Sequence, residues 1–444
     1  MKHRKLTHIQ IIALGYFLMI LIGSALLMLP LASEQNVWTD PLTAIFTTTS
    51  ASCVTGLIVQ DTATYWSLFG ECVIITLIQI GGLGFMTIAT FFYRLIIKGH
   101  GLRERAIMAE SINTGRLSGF SPLIKKIVFG TLLVESIGAL LLSTKFIPAF
   151  GVLKGIYLSI FHSVSAFCNA GFDLFGEIAP YSSLSYFYDD IIVNVTIILL
   201  ILIGGIGFLV WDDITTCRFK FKKFTLHTKL VLTLTAVLVI GGAVLFYIFE
   251  LNYTGADISL KGKILSAFFN SVTPRTAGFN TVDTAALSEP SKLLTMIFMF
   301  IGGNSGSTAG GIKTTTVLVI LAYTVSAVRG RADIHTFGRK INTDILKKAV
   351  LITTINLFLA LSGAIAICAL QPLPLTDIMF ETFSAIGTVG MTTGITRDLN
   401  AISRIIIVFL MYCGRVGSIS FAAALFEPKI KPPVSYPEEE VTVG

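Results

Sequence analysis

The chain has 444 residues, of which 53% are hydrophobic and only 13% charged, and its mean hydropathy is +0.79. That composition cannot coat the surfaces of the three soluble domains the length would otherwise suggest, and it excludes a soluble enzyme, a disulfide scaffold and a disordered regulator. The net charge of +7 does not point to nucleic acid, because the basic residues gather between apolar runs.

Taken in chain order, the apolar runs are 9–31, 69–97, 124–147, 190–211, 226–249, 292–326 (interrupted), 346–370 and 402–426. A bilayer crossing takes about 20 apolar residues, so these predict eight transmembrane helices and an all-α polytopic membrane protein. Basic residues fill alternate connections: Lys2, Arg4 and Lys5; Arg94, Lys98, Arg103, Arg105 and Arg116; Arg218, Lys220, Lys222 and Lys223; Arg329, Arg331, Arg339 and Lys340. Acidic residues favour the others: Glu34, Asp40 and Asp61; Asp173, Glu177, Asp189 and Asp190; Asp257, Asp283 and Glu289. The positive-inside rule then predicts a multi-pass plasma-membrane protein with both termini cytoplasmic. No cleavable signal is expected in the first run. Cys53, Cys72, Cys168, Cys217, Cys368 and Cys413 show no metal-ligand spacing and read as buried thiols.

A shorter, weakly apolar segment ending in glycine lies between the members of each helix pair: Phe46–Gly56, Phe161–Gly171, Phe269–Gly278 and Phe380–Gly390. Segments of that length read as re-entrant. Their final glycines are spaced by 115, 107 and 112 residues, and each segment precedes a second marker: Ile80-Gly81-Gly82, Ile203-Gly204-Gly205, Ile301-Gly302-Gly303 and the degenerate Tyr412-Cys413-Gly414. Two markers in the same order four times indicate internal repetition. The expected architecture is four helix–re-entrant pore loop–helix repeats with pseudo-fourfold symmetry around a central pore. The divisions are 1–98, 99–217, 218–340 (with the broken helix), 341–428, and a cytoplasmic tail over 429–444.

Non-helical backbone at membrane depth is tolerated only where it is buried in protein or lines water. A half-helix ending in Thr-Gly, Ala-Gly or Val-Gly meets that condition at a pore, with its partially negative end toward the axis. Four such loops form rings of carbonyl oxygens able to replace the hydration shell of a bare cation. The candidate ligands are the backbone carbonyls of Val54, Thr55 and Gly56; Asn169, Ala170 and Gly171; Thr276, Ala277 and Gly278; and Thr388, Val389 and Gly390. No Asp or Glu recurs in the loops, which argues against a divalent-cation filter. The third loop is one residue shorter and carries Arg275, expected to point behind the filter toward an acidic group or carbonyls. Gly81, Gly82, Gly84, Gly204, Gly205 and Gly207 read as helix packing.

These loops, with Ala277-Gly-Phe-Asn280 and Ala170-Gly-Phe-Asp173, resemble the Trk/Ktr/HKT superfamily of potassium transporters, most of all the Ktr-type translocating subunit, over essentially the whole chain. The resemblance implies that Gly56, Gly171, Gly278 and Gly390 each complete one quarter of a selectivity filter for K+, and that glycine rather than serine at position 56 favours potassium. It further implies a homodimer in membrane lipid, activation by Na+, and a separate cytoplasmic nucleotide-binding ring as regulatory partner. No covalent cofactor is expected, and any nucleotide belongs to that partner.

The sixth run is interrupted by Gly302, Gly303, Asn304, Ser305, Gly306, Ser307, Thr308, Ala309, Gly310, Gly311, Ile312 and Lys313. Gly306 and Gly311 have the spacing of a phosphate-binding loop, but Ile312 stands where its lysine is needed. A polar, glycine-rich break in an apolar run suits a mobile segment facing a water-filled cavity, and the resemblance implies a gate below the filter. Arg415 lies roughly 16–18 Å from either end of its run at about 1.5 Å per residue, too deep to snorkel easily. An intramembrane arginine is functional by default, and the resemblance places it against the gate. Glu135 is similarly deep and reads either as a packed carboxyl or as the partner of a basic group. His162 has no counterpart in the other loops and reads as structural. The chemistry favours a monovalent-cation pore over the rival reading, an alternating-access, sodium-coupled secondary transporter, because four equivalent units are present rather than two halves. A membrane-embedded enzyme lacks any convergent polar site.

Overall fold

The structure is a computed structural model; the residues it describes are 8–84, 87–88, 120–251, 258–331 and 333–417. The basic clusters at 2–5 and 94–116, Asp257, the ends of the runs 69–97 and 402–426, and the tail 429–444 lie outside the described residues.

The described chain is helical apart from a hairpin of two short strands, His335–Thr336 and Arg339–Lys340. Its helices are α1 (His8–Met28), α2 (Pro41–Cys53), α3 (Thr62–Tyr65), α4 (Leu68–Leu83), α5 (Phe120–Phe150), α6 (Val152–Phe167), α7 (Ile191–Gly205) and α8 (Phe208–Thr216), then α9 (Leu226–Glu250), α10 (Leu260–Val272), α11 (Glu289–Phe300), α12 (Thr314–Val328), α13 (Thr343–Leu370), α14 (Leu375–Gly387) and α15 (Ala401–Val416). Local sequence sets their starts. Asp40, Ser67, Asp190, Thr225, Ser259, Ser288, Asn342 and Asn400 each cap a helix by accepting a hydrogen bond from one of its first free backbone N–H groups, which would otherwise be unsatisfied.

By length and composition four helical stretches among the described residues are able to cross a membrane: Gln10–Met28, Leu123–Phe150, Leu226–Glu250 and Thr343–Leu370. The expected span 190–211 is not straight, because α7 and α8 bend by 91°. Gly207 at that corner has φ +100°, a value glycine alone adopts freely, and the next amide, Phe208 N–H, donates to Gly306 O at 2.7 Å. The break thus receives the 302–313 segment. The run 292–326 splits into α11 and α12, as its glycines predict. Large apolar residues such as Phe17, Ile22, Leu133, Ile240 and Ile365 remain exposed, whereas the short helices α2, α6, α10 and α14 bury most of their length. In water that surface would be a liability; against lipid it is the expected outside.

Each short helix packs against the long helix before it, α2 on α1, α6 on α5, α10 on α9 and α14 on α13. Phe46, Phe161, Phe269 and Phe380, at equivalent points of the four, are each at most 2% exposed and root these helices in two large apolar clusters. The chain segments that follow the four helices are thereby brought to one place.

Candidate functional site

The four short helices end three to six residues before Gly56, Gly171, Gly278 and Gly390, and a hydroxyl in or just after the last turn fastens each following strand. Ser50 Oγ accepts from Gly56 N–H at 3.0 Å, and Ser384 Oγ accepts from Gly390 N–H at 3.0 Å. Ser165 Oγ donates to Phe172 O at 2.7 Å, and Thr273 Oγ1 donates to Phe279 O at 2.5 Å. Backbone bonds complete the fastening: Thr55 N–H to Ser50 O at 2.8 Å, Ala170 N–H to Ser165 O at 2.8 Å, Ala277 N–H to Thr273 O at 2.9 Å and Val389 N–H to Ser384 O at 2.9 Å. These four hydroxyl residues were not singled out from sequence, yet all stand four positions after the loop phenylalanine.

Each strand alternates its backbone hand. The glycines have φ of +93°, +70°, +82° and +93°, and the residues two before them, Val54, Asn169, Thr276 and Thr388, have φ of +57°, +59°, +72° and +50°. Three of those four are β-branched, for which this region is strained. Alternating left- and right-handed dihedrals turn successive carbonyls to one side of a strand.

The glycines close a ring. A Cβ built on Gly56 would overlap Ala170 O, one on Gly278 would overlap Val389 O, one on Gly390 would overlap Thr55 O, and one on Gly171 would lie 2.7 Å from Ala277 O. Every loop therefore presses its glycine against the next loop's penultimate carbonyl, in the order 56, 171, 278, 390 and back to 56. Among the described residues, none of the twelve candidate carbonyls accepts a protein hydrogen bond, and all twelve residues are buried. Buried carbonyls are ordinarily paired; a ring of unpaired ones offers oxygen ligands to a desolvated cation.

The ring has two unlike faces. Residues following the glycines line a cavity of about 240 Å³ that reaches all four of them, with Asp173, Asp283, Tyr181 and Arg397 in its wall. Residues preceding the glycines meet the 302–313 segment. Thr308 Oγ1 donates to Phe167 O at 3.2 Å, a Cβ on Gly310 would overlap the Thr388 side chain, and one on Gly311 would lie 2.8 Å from Gly387 O. The segment is tied on several sides: Asn304 N–H donates to Gly205 O at 3.1 Å, Thr308 N–H to Gly204 O at 3.4 Å and Gly311 N–H to Gly414 O at 3.3 Å. Ile301 and Ile312 pair across its ends. Lys313 Nζ folds back onto Ala309 O at 2.7 Å and Gly310 O at 3.0 Å. Gly302, Gly303, Ser305, Gly306 and Ser307 complete the turn, with Ser305 facing Thr315.

Arg415 bridges this segment to the first quarter of the fold. Its guanidinium donates to Thr308 O and Gly81 O, to Gly82 O at 3.3 Å, and to Tyr16 OH at 3.4 Å. The glycines of the second marker make close helix contacts, for a Cβ on Gly81 would overlap Ser52 O and one on Gly204 would overlap Phe167 O.

Arg275 meets a different partner from the one expected, and Glu135 falls on the first of its two readings, a packed carboxyl. Arg275 is 5% exposed and does lie behind its loop, but the group it meets is a hydroxyl, Thr235 Oγ1 at 3.4 Å, and no carboxylate pairs with it among the described residues. Glu135 accepts from the Gln79 amide at 3.3 Å rather than from a base. His162 bonds Leu158 O at 2.7 Å, accepts from Leu174 N–H at 3.2 Å and stacks on Phe175, a structural role. No cluster of His, Cys, Asp or Glu suited to a metal occurs among the described residues.

Comparison with known proteins agrees with this geometry. The family described as TrkH, cation transport protein, matches residues 4–430. The chain is 40% identical over 448 residues to the potassium/sodium uptake protein NtpJ of Enterococcus hirae, covering 99% of this chain and 98% of that one. It is 40% identical over 446 residues to the Ktr system potassium uptake protein B of Bacillus subtilis, covering 100% and 98%. The crystal structure of the potassium transporter TrkH from Vibrio parahaemolyticus superposes with a TM-score of 0.75 at 18% identity, covering 96% of this chain and 86% of that one, a likeness of fold.

Proposed function

The chain belongs to the TrkH family of membrane cation transport proteins and is not an enzyme; on that premise we propose that it takes up potassium through the ring of four glycine loops. Eight spans in four repeats, over 1–98, 99–217, 218–340 and 341–428, surround that ring, with both termini and the tail 429–444 in the cytoplasm. The 240 Å³ cavity is the outer mouth, and the 302–313 segment is the gate on the cytoplasmic side, latched by Arg415. A cation shed of water at the mouth exchanges its hydration shell for the carbonyls of Val54 to Gly56, Asn169 to Gly171, Thr276 to Gly278 and Thr388 to Gly390. The observation that carries the reading is the closed ring of buried carbonyls without protein donors.

The two relatives at 40% identity are named for potassium alone and for potassium with sodium, so the ion preference is the point to test. Gly56 favours potassium on this reading. The functional unit is a homodimer, and a cytoplasmic nucleotide-binding ring acts on the gate, with Na+ as an activator; the Ktr-system name of one relative supports a partner. The test is cation flux into proteoliposomes holding only the purified chain, under potassium or sodium gradients, with Gly56→Ser alongside. Potassium-favouring flux that loses its preference in Gly56→Ser is the expected result. Saturable flux coupled to a sodium gradient, with preference unchanged by the substitution, would instead establish alternating access.

A further inference from the structure

The mouth of the ring holds a fixed positive charge. Arg397 lines the cavity that reaches the four glycines, and its guanidinium lies 4.2 Å from the centroid of the Tyr181 ring, a cation–π stack. Its Nε donates to Gly394 O at 3.3 Å, and Arg404 Nη2 holds its carbonyl at 2.9 Å. Tyr181 is itself anchored: its N–H donates to Asp61 Oδ2 at 2.8 Å and its hydroxyl to Val59 O at 3.4 Å. The stack therefore joins the loops after the first, second and fourth glycines, and favours a guanidinium position over the Tyr181 ring. Asp173 and Asp283 face the same cavity, yet Arg397 forms no salt bridge with either among the described residues. An arginine in the entrance of a cation path that is not paired with the nearby carboxylates has a cost for attracting cations.

We propose that Arg397, held on Tyr181, is a specificity-determining residue that screens cations by valence, admitting monovalent ions and repelling divalent ones before they reach the ring. The inference rests on the reading of the ring as a cation path and of the cavity as its mouth. A fixed unit charge raises the energy of a divalent ion twice as much as that of a monovalent one, so its effect on local concentration is squared. In a water-like dielectric a unit charge in the wall of such a cavity changes monovalent occupancy about two- to three-fold. The divalent effect is then about four- to nine-fold.

The test is Rb+ influx into neutral-lipid proteoliposomes at low ionic strength, with external Ba2+, a divalent ion close to K+ in size, as competitor. Arg397→Gln lowers the half-saturating Rb+ concentration by a factor of about two to three, and lowers the half-inhibiting Ba2+ concentration by the square of that factor. Arg397→Lys restores both, Asp283→Asn moves both in the opposite direction, and high choline chloride flattens all differences. Unchanged constants in Arg397→Gln, or equal factors for the two ions, would overturn the proposal; should that variant fail to reconstitute, Asp283→Asn carries the same squared relation with opposite sign. Wild-type protein without any cation flux would overturn the function reading and this inference together, whereas normal wild-type flux with an indifferent Arg397→Gln removes this inference alone.

Discussion

Ser50, Ser165, Thr273 and Ser384 show how little side-chain chemistry holds the proposed carbonyl ring in place. Each hydroxyl satisfies one backbone group of its own strand, so the carbonyls beside the glycines stay in place without bonding to protein. In Ser50→Ala the Gly56 N–H loses its acceptor in a fully buried site, a cost of about 1–3 kcal/mol. Because that strain falls on the strand and not on the helix, we expect discrimination between K+ and Na+ to drop several-fold while maximal flux and expression hold. Competitive Rb+ and Na+ uptake measures this; unaltered discrimination would make Ser50 a simple helix-terminus residue. The four glycines were legible from their spacing, but the close fit of each against the next loop's carbonyl was not, because it joins segments more than 100 residues apart. The hydroxyl column was equally present in the sequence. It went unused because serine and threonine in a helix usually bond their own turn, and only the fold shows these turning outward to the strand. The left-handed Val54, Thr276 and Thr388 run against local preference and are decided by tertiary closure of the ring.

At the scale of the element, the 302–313 segment is a length of chain tied to its surroundings on several sides. Its amides bond Gly204, Gly205 and Gly414, its carbonyls receive Phe208, Lys313 and Arg415, and Thr308 reaches the end of α6. On the proposed gate reading, opening the path under the ring would break several of these bonds together, which favours two discrete arrangements over a continuum. Deleting Gly306 to Ala309 is expected to raise flux several-fold without altering ion preference, and lost or unchanged flux in folded protein would remove the gate reading. Arg415→Ala, which cuts the tie between Thr308 and the Gly81–Gly82 carbonyls, is expected to raise basal flux; a purely structural arginine would show only a lower melting temperature. The glycine-rich break and the depth of Arg415 were readable because both violate the apolar pattern around them. The 91° corner between α7 and α8 was not, since Gly204, Gly205 and Gly207 look the same whether they pack a straight helix or turn it. Only the docking of Gly306 on Phe208 distinguishes the two. The hydroxyl partner of Arg275 was illegible for a related reason, because Thr235 lies on a different helix, 40 residues away in sequence.

Across the whole molecule, four loops more than 100 residues apart in sequence meet in one ring, and each glycine is held by the next repeat rather than by its own. Such a ring cannot form from fewer than four loops, which is why the repeat count mattered more to the reading than any single motif. It also has two unlike faces, which the proposed reading takes as mouth and gate, since residues after each glycine face the cavity and residues before it face the 302–313 segment. The most direct test of the ring is to locate the ion. Crystals or frozen vesicles of the protein in Rb+ or Tl+ should show anomalous or difference density on the ring axis, bounded by the carbonyls of Thr55, Ala170, Ala277 and Val389, and Gly56→Ser should weaken it. Density held instead by side chains away from the ring, in protein that transports, would contradict the account.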